Sequence, residues 1–348
     1  MKKEWQLKTL ILTSLLALSQ SAFALTAADL PIPTQIPDLD EQVEGTMTPQ
    51  YPSPGEKVVI TLEAYGTDLN RATIVWSING SETLRGKGQK SLSLVAGSLG
   101  ESQVIKAAIS PVNGIPVTKT FYVNPQSIDV VWQADTYTPP FYRGKAMFSP
   151  QTKVTLVAMP NLIDQNGSQV DPGSVIYKWK KDFVVLGKNS GYGAQTLSYK
   201  GDILMQPVNI GIEASIEGGN TAATYLDLAP TSPIVGLYEQ SPIYGTLYNK
   251  EVSGTFDFGN SSEKNILVVP YFFSEKGKKT FSLAYEWSIN GSIINVPSDQ
   301  NTMTLRNSEN LEGQSQIGVT VSNTENFLEG ASGSTLINFK KSSKATSL

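Results

Sequence analysis

Tryptophan recurs three times inside the same kind of short run. Residues 74–81 read IVWSINGS, residues 177–186 read YKWKKDFVVL and residues 285–294 read YEWSINGSII, so Trp76, Trp179 and Trp287 stand 103 and 108 residues apart. That period is about the size of a small all-β domain and too long for the usual solenoid repeats. Around two of the tryptophans the alternate positions are apolar: Ile74 and Ile78 flank Trp76, and Tyr285 and Ile289 flank Trp287. Period-two alternation places each set on one face of a strand. An indole that points inward from the middle of a sandwich sheet fills the core, so Trp76, Trp179 and Trp287 are expected to be structural. A carbohydrate-stacking role on the surface fits poorly with three such positions in central strands.

The runs on either side repeat in order. PGEKVVITLEAYG alternates Val58, Ile60, Leu62 and Ala64, and is followed by the Trp strand, SLSLVAG, QVIKAAIS and PVTKTFYV. TKVTLVAMP, VIYKWKK, QTLSYKG, NIGIEASIEG and AATYLDLAP keep that order, as do KNILVVPYFF, LAYEWSING, NTMTLRN, QIGVTVSN and STLINFKK. Short alternating strands bounded by Gly, Pro, Asn and Ser, with no three-turn amphipathic helix, predict an all-β chain of tandem immunoglobulin-like β-sandwich domains. The expected units are 51–125, 126–230 and 231–341. Asn79-Gly80 and Asn290-Gly291 follow two of the Trp strands. Asn-Gly between β runs signals a type I′ hairpin, whose central residues both take positive φ. In the second unit Lys181-Asp182 stands where the others have Asn-Gly, which predicts a different turn or a longer hairpin there. The second and third units also share a lead-in, DVVWQADTYTPPFYRGKAM and IVGLYEQSPIYGTLYNKEV, whose prolines 139, 140 and 242 predict an edge strand crossing between sheets.

The start of the chain reads as an export signal. Three lysines in MKKEWQLK precede the apolar TLILTSLLAL and the small residues around Phe23, which predicts a signal peptide over 1–24. Its removal leaves 24 basic and 30 acidic residues, a balance that argues against nucleic acid or an anionic membrane surface as main partner. Residues 25–50, with prolines at 31, 33, 37 and 49, read as a proline-rich acidic spacer without regular structure, and 342–348 as a polar tail. No later segment is long and apolar enough to span a bilayer.

The chain contains no histidine and no cysteine. This removes Ser-His-Asp and Cys-His catalysis and the usual zinc and copper sites. SSEK at 261–264 matches a Ser-x-x-Lys string without its partner motifs, and the acidic residues are scattered along turns rather than paired. No enzyme activity and no cofactor are expected. Asp38, Asp40, Glu41 and Glu44 in the spacer, and Asp164, Asn166, Gly167 and Asp171 in one loop, offer oxygen ligands suited to weak calcium binding, or are solvated turns.

The best recognition candidate is aromatic. YTPPFYR and SPIYGTLY set Tyr137, Phe141, Tyr142, Tyr244 and Tyr248 beside prolines. Such groups either pack one sandwich on the next or form a rigid contact patch. The stretch PGEKVVITLEAYGTDLNRATIVWSINGS resembles bacterial PKD-type and related immunoglobulin-like modules, with Trp76-Ser77-Ile78-Asn79-Gly80 lacking the acidic residue and second glycine common in PKD modules. The whole chain is similar to exported proteins of unassigned role from reduced-genome, candidate-phylum bacteria. The resemblance implies display, adhesion or envelope scaffolding and no particular chemistry. The expected role is a non-enzymatic exported protein, extracellular or held at the cell envelope, that contacts a protein or envelope component. A carbohydrate-binding array using exposed aromatics is the alternative.

Overall fold

The structure, a computed structural model, describes residues 43–259, 261–274, 282–307 and 312–340. The expected signal peptide, most of the spacer and the polar tail lie outside these residues. Among the described residues every long element is a strand, and the strands form six sheets that follow one another in pairs along the chain. The chain is a tandem series of immunoglobulin-like β-sandwiches. Its packing divides into two compact units. The smaller holds described residues 43–46, Ile60–Leu92 and Lys106–Thr120, and the larger holds the rest.

In the first third, β1 (Val43–Thr48), β2 (Lys57–Ala64), β3 (Thr73–Ile78), β4 (Ser81–Lys87), β5 (Ser91–Val95), β6 (Gln103–Ser110) and β7 (Val117–Val123) pair in the orders β1-β2-β5 and β4-β3-β6-β7. Strand β1 corrects the spacer expectation for its last residues. Eleven proline-free residues separate Pro37 from Pro49, and Val43, only 2% exposed, anchors a strand that pairs with β2. Its other positions are mostly exposed, so no alternation marked it in the sequence. Within the smaller unit Trp76 is fully buried with Ile60, Leu62, Ile74, Ala107 and Ile109, and its indole N–H donates to the Gln89 carbonyl at 2.8 Å. Asn79 and Gly80 take φ of 50° and 85°, closing β3 on β4 as a type I′ turn.

The second sandwich comprises β8 (Ser127–Ala134), β9 (Lys153–Asn161), β10 (Ile176–Lys181), β11 (Val184–Val185), β12 (Gly191–Tyr192), β13 (Thr196–Lys200), β14 (Val208–Ser215) and β15 (Thr221–Leu228). Its sheets run β13-β9-β8 and β11-β10-β14-β15, with β12 also on β10. Leu156, Tyr177, Trp179, Ile210 and Ile212 meet in its core. Trp179 Nε1 donates to the Ala194 carbonyl at 2.8 Å. The hairpin after Trp179 corrects the sequence reading. Lys181 pairs with Val184, so the turn residues are Asp182 and Phe183, at φ of 47° and 66°. Aligned on the tryptophan they occupy the Asn-Gly positions, and the backbone turn is the same.

On the outer face of this sheet Glu213 accepts from Lys180 and pairs with Lys178 at 3.0 Å. Burial pushes the Glu213 carboxyl up, but the bonds from Lys180 and Lys178 outweigh it, and the group sits below its ordinary value of 4.5. A depressed folded-state value gives stability that is present above the ordinary value and is lost as pH falls through the folded one. Stability measured by denaturant titration is therefore expected to decline below about pH 4.5, with a shallower decline in Glu213→Gln. Equal slopes would contradict this assignment.

The third sandwich comprises β16 (Ile234–Ser241), β17 (Gly245–Glu251), β18 (Gly254–Asp257), β19 (Glu263–Tyr271), β20 (Leu283–Ile289), β21 (Ser292–Ile293), β22 (Thr302–Arg306), β23 (Gly313–Asn323) and β24 (Gly330–Phe339). The sheets run β17-β16-β19-β22 and β18-β24-β23-β20-β21. Trp287 lies in the core with Leu237, Phe258, Ile266 and Val319 and donates to the Gln300 carbonyl at 2.8 Å. Burial raises the neighbouring core phenol of Tyr285 to about 12. Asn290 and Gly291, at φ of 51° and 82°, form the third type I′ turn.

The lead-in segments depart from expectation. Pro242 lies in the tight turn between β16 and β17, and β16 is an interior strand rather than an edge. The crossing between sheets comes after Glu251, where β18 joins β24 in parallel. In the second sandwich β8 is an edge strand, but no strand follows Pro139-Pro140 before β9.

Candidate functional site

Two strands of backbone meet where the second sandwich passes into the third. Tyr137 N–H donates to the Phe273 carbonyl and Phe272 N–H to the Tyr137 carbonyl, both at 2.8 Å, and Thr136 bridges Ser274. Fully buried Ser149 adds a hydroxyl bond to the Phe272 carbonyl at 2.7 Å. Tyr142 sets its ring edge-on to Tyr271 and Phe272, at 5.8 and 6.0 Å between centroids. Tyr271 in turn shares a hydroxyl bond of 2.7 Å with Tyr238, whose ring lies 5.5 Å from Tyr248. The two tyrosines Tyr238 and Tyr271 lie over Gly236, where a Cβ would come within 2.7 Å of the Tyr238 ring. Burial, and then the Tyr238 bond, push the Tyr271 phenol far above its ordinary range.

These contacts sort the five aromatic candidates. Tyr137, Tyr142 and Tyr248 belong to the joint and the aromatic row beside it. Phe141 and Tyr244 do not: they are 93% and 81% exposed. Phe141 sits third in the turn Pro139–Tyr142, closed by Tyr142 N–H on the Pro139 carbonyl, with φ of 66°. Tyr244 stands with Ile243 at the tip of the β16–β17 turn, where Ser241 Oγ accepts from both backbone N–H groups. The two tips stand on different turns, the Pro139–Tyr142 turn and the β16–β17 turn.

Backbone strain marks the junction further. Among the described residues eight that are not glycine have positive φ. Three are the first turn residues Asn79, Asp182 and Asn290, where a short polar side chain tolerates the left-handed region. The other five are Phe141, Gln151, Phe183, Phe272 and Leu328. Phe272 is part of the joint itself. Gln151 links its two sides: its N–H donates to the Asp202 carbonyl at 3.0 Å and its side-chain amide to the Phe327 carbonyl. Phe183 reaches the same Asp202 loop through Lys181, which pairs with Asp182 at 3.3 Å and Asp202 at 3.8 Å. Leu328 follows Phe327 in the loop before β24.

Under this loop lies Glu329, only 4% exposed. Its carboxylate accepts from Ser274 N–H, Ser274 Oγ, Asn323 Nδ2 and Asn326 Nδ2, and among the described residues these partners are all neutral. Ser274 is also the residue that bridges Thr136. The Glu329 network therefore fixes the Phe327-Leu328 loop and one side of the joint together.

Phe183, Leu328 and Glu329 escaped the sequence reading. The signal for Phe183 was available: it is the fourth residue after its tryptophan, as Gly80 and Gly291 are after theirs. A left-handed residue with a Cβ costs roughly 1–2 kcal/mol relative to glycine. Phe183→Gly is thus expected to stabilise the second sandwich by about 1 kcal/mol in denaturant unfolding, against a loss for most surface apolar-to-glycine changes. A destabilised variant would show that the Phe183 ring, 6.0 Å from Tyr225, packs more strongly than its backbone is strained.

The loop acids weighed as calcium ligands are engaged in turns. Asp164 Oδ1 accepts from the N–H groups of Asn166 and Ser168, both at 2.8 Å, and Asp171 caps Gly173 at 3.1 Å. Asp38, Asp40 and Glu41 lie outside the described residues, and no group of three acidic side chains converges among those described.

No protein-family model matches the chain, and no curated protein matches it. Solved structures do. The three N-terminal domains of the bacteriophage RB49 highly immunogenic outer capsid protein align over 86% of this chain and 98% of that one, at 12% identity and a TM-score of 0.25. The central fibronectin-III array of RIM-binding protein aligns over 86% and 97%, at 9% identity and 0.31. Bacteroides ovatus SGBP-B, solved with a mixed-linkage heptasaccharide, aligns over 84% and 70%, at 14% identity and 0.20. At these scores the likeness says nothing about what this chain binds.

Proposed function

We propose that this chain is a non-enzymatic exported interaction protein, extracellular or held at the cell envelope, whose sandwiches hold out a contact surface toward a protein or envelope component. One observation carries the reading. Phe141, Phe183 and Leu328 are large, exposed and left-handed, all near the second to third junction. Exposure and backbone conformation both favour a glycine or asparagine at such positions. Bulky apolar residues kept there against both costs fit a surface used for contact. A glycan reading would need coplanar exposed rings, and the two isolated tips Phe141 and Tyr244 offer no such platform.

The test is cosedimentation of the purified protein with envelope fractions of the exporting cell. The variant Phe141→Ser, Phe183→Gly, Leu328→Gly is expected to lose at least tenfold in retention while keeping its circular dichroism. Undiminished retention would overturn the reading. Loss of wild-type retention on adding soluble envelope glycan would favour the carbohydrate alternative.

A further inference from the structure

Only the short run APTSP, residues 229–233, carries the chain from β15 into β16. Pro230 and Pro233 fix their own φ, and Thr231 between them donates its N–H to the Phe148 carbonyl at 2.7 Å. Phe148 belongs to the turn 147–152. Ser149 and Thr152 in that turn are buried, and the Thr152 hydroxyl closes it on the Ser149 carbonyl at 2.6 Å. Three bonds hold the turn to the second sandwich: Gly201 N–H on the Thr152 carbonyl at 2.9 Å, Gln151 N–H on the Asp202 carbonyl at 3.0 Å, and the Thr136 hydroxyl on the Met147 carbonyl at 2.9 Å. The Phe148 ring lies in that sandwich's core, so close over Gly201 that a Cβ there would come within 2.7 Å of it. From its other side the same turn reaches the third sandwich twice, through the Ser149 hydroxyl on the Phe272 carbonyl and the Gln151 amide on the Phe327 carbonyl.

We infer that the turn 147–152 is a lock that makes the second and third sandwiches one rigid body. Neighbouring domains of a chain move against each other by default, about a few residues that absorb changes in φ and ψ. Here the residues that would have to do so are held. The linker is fixed by its prolines and by the Thr231 bond, and residues 136–137 by their bonds to residues 272–274. The lock also meets the third sandwich at two places, the end of β19 and the loop before β24, so a swing about one stretches the bond at the other. A bend too small to admit water leaves the fully buried Ser149 hydroxyl without a partner, and is opposed from its outset. The receiving side is itself one piece, because Glu329 holds Ser274 to Asn323 and Asn326. The inference stands apart from the contact reading: it concerns how the loops at this joint are held, whatever they meet.

Because the sequence holds no cysteine, two introduced ones place spin labels on the full chain at chosen sites. Val131→Cys on β8 and Glu286→Cys on β20 are exposed and take no part in the lock. Double electron–electron resonance between them is expected to give a single narrow distance distribution. Thr136→Val, Ser149→Ala and Gln151→Asn together remove the side-chain ties and leave both tryptophan cores untouched. Asparagine is the choice at 151 because φ there is 62°, which it tolerates. In this variant the distribution should at least double in width while the circular dichroism stays unchanged. A broad wild-type distribution, or a triple variant as narrow as the wild type, would overturn the lock. If the triple variant does not fold, Gln151→Asn alone is expected to widen the distribution by a smaller amount, and no widening in that variant counts equally against the inference.

Discussion

Trp287→Ala is expected to cost the third sandwich about 3–5 kcal/mol, enough to unfold it at room temperature if its margin is typical for a domain of its size. The indole fills the centre of the core and ties β20 to the segment ahead of β22 through Gln300. The same bond is made by Trp76 to Gln89 and by Trp179 to Ala194, 13, 15 and 13 residues beyond the ring in the three cases. The tryptophan is thus both the core filler and the clasp between two layers. Trp287→Phe should keep most of the volume and lose the N–H, for about 1–2 kcal/mol, much of it the unpaired buried carbonyl. Circular dichroism in a urea titration separates the two variants. Similar costs for both would mean that the bond, not the volume, holds the sandwich.

Glu329→Ala should be nearly as damaging, and its damage should spread. Removing the carboxylate takes the acceptor from Ser274 N–H and Ser274 Oγ and leaves the Asn323 and Asn326 amides only Ser274 Oγ to share, at about 1–3 kcal/mol for each donor that water does not reach. Because Ser274 also meets Thr136, amide exchange should quicken at residues 136–137 and 272–274 as well as at 326–329. Glu329→Gln should not rescue it, since its amide NH2 meets a donor in either orientation, Ser274 N–H on one side or the Asn323 and Asn326 amides on the other. Exchange confined to 326–329 would show that the network holds only its own loop.

Much of this fold could be read from the chain. The three tryptophans, the alternation around them and Asn79-Gly80 and Asn290-Gly291 identify strands, cores and turns because each rests on a local rule. Apart from the turn after Trp179, which was a miscount of one residue, what failed rested on long-range pairing. Strand β1 forms because Val43 is buried and β2 offers a partner, although its other residues show no alternation. Pro242 was read as a break at a sheet edge, but it falls in a turn, where its missing N–H is not needed. The exposure of the aromatic candidates was not legible. Aromatic-proline composition picked out Phe141 and Tyr244, which stand at exposed turn tips, together with Tyr137, Tyr142 and Tyr248, which belong to the joint or the aromatic row beside it. Composition cannot say which way a ring points. Phe183 could have been found by counting from the tryptophan, whereas the apposition of residues 202, 151 and 327 has no local signal at all.

In the proposed function, the loops around the second to third junction meet a partner in the cell. The most direct measurement places a photo-cross-linking amino acid at position 183 and, as a control, at the exposed position 65, then illuminates intact exporting cells. Defined adducts to other proteins from position 183, absent from position 65, are predicted. Equal or absent adducts at both positions would contradict the account.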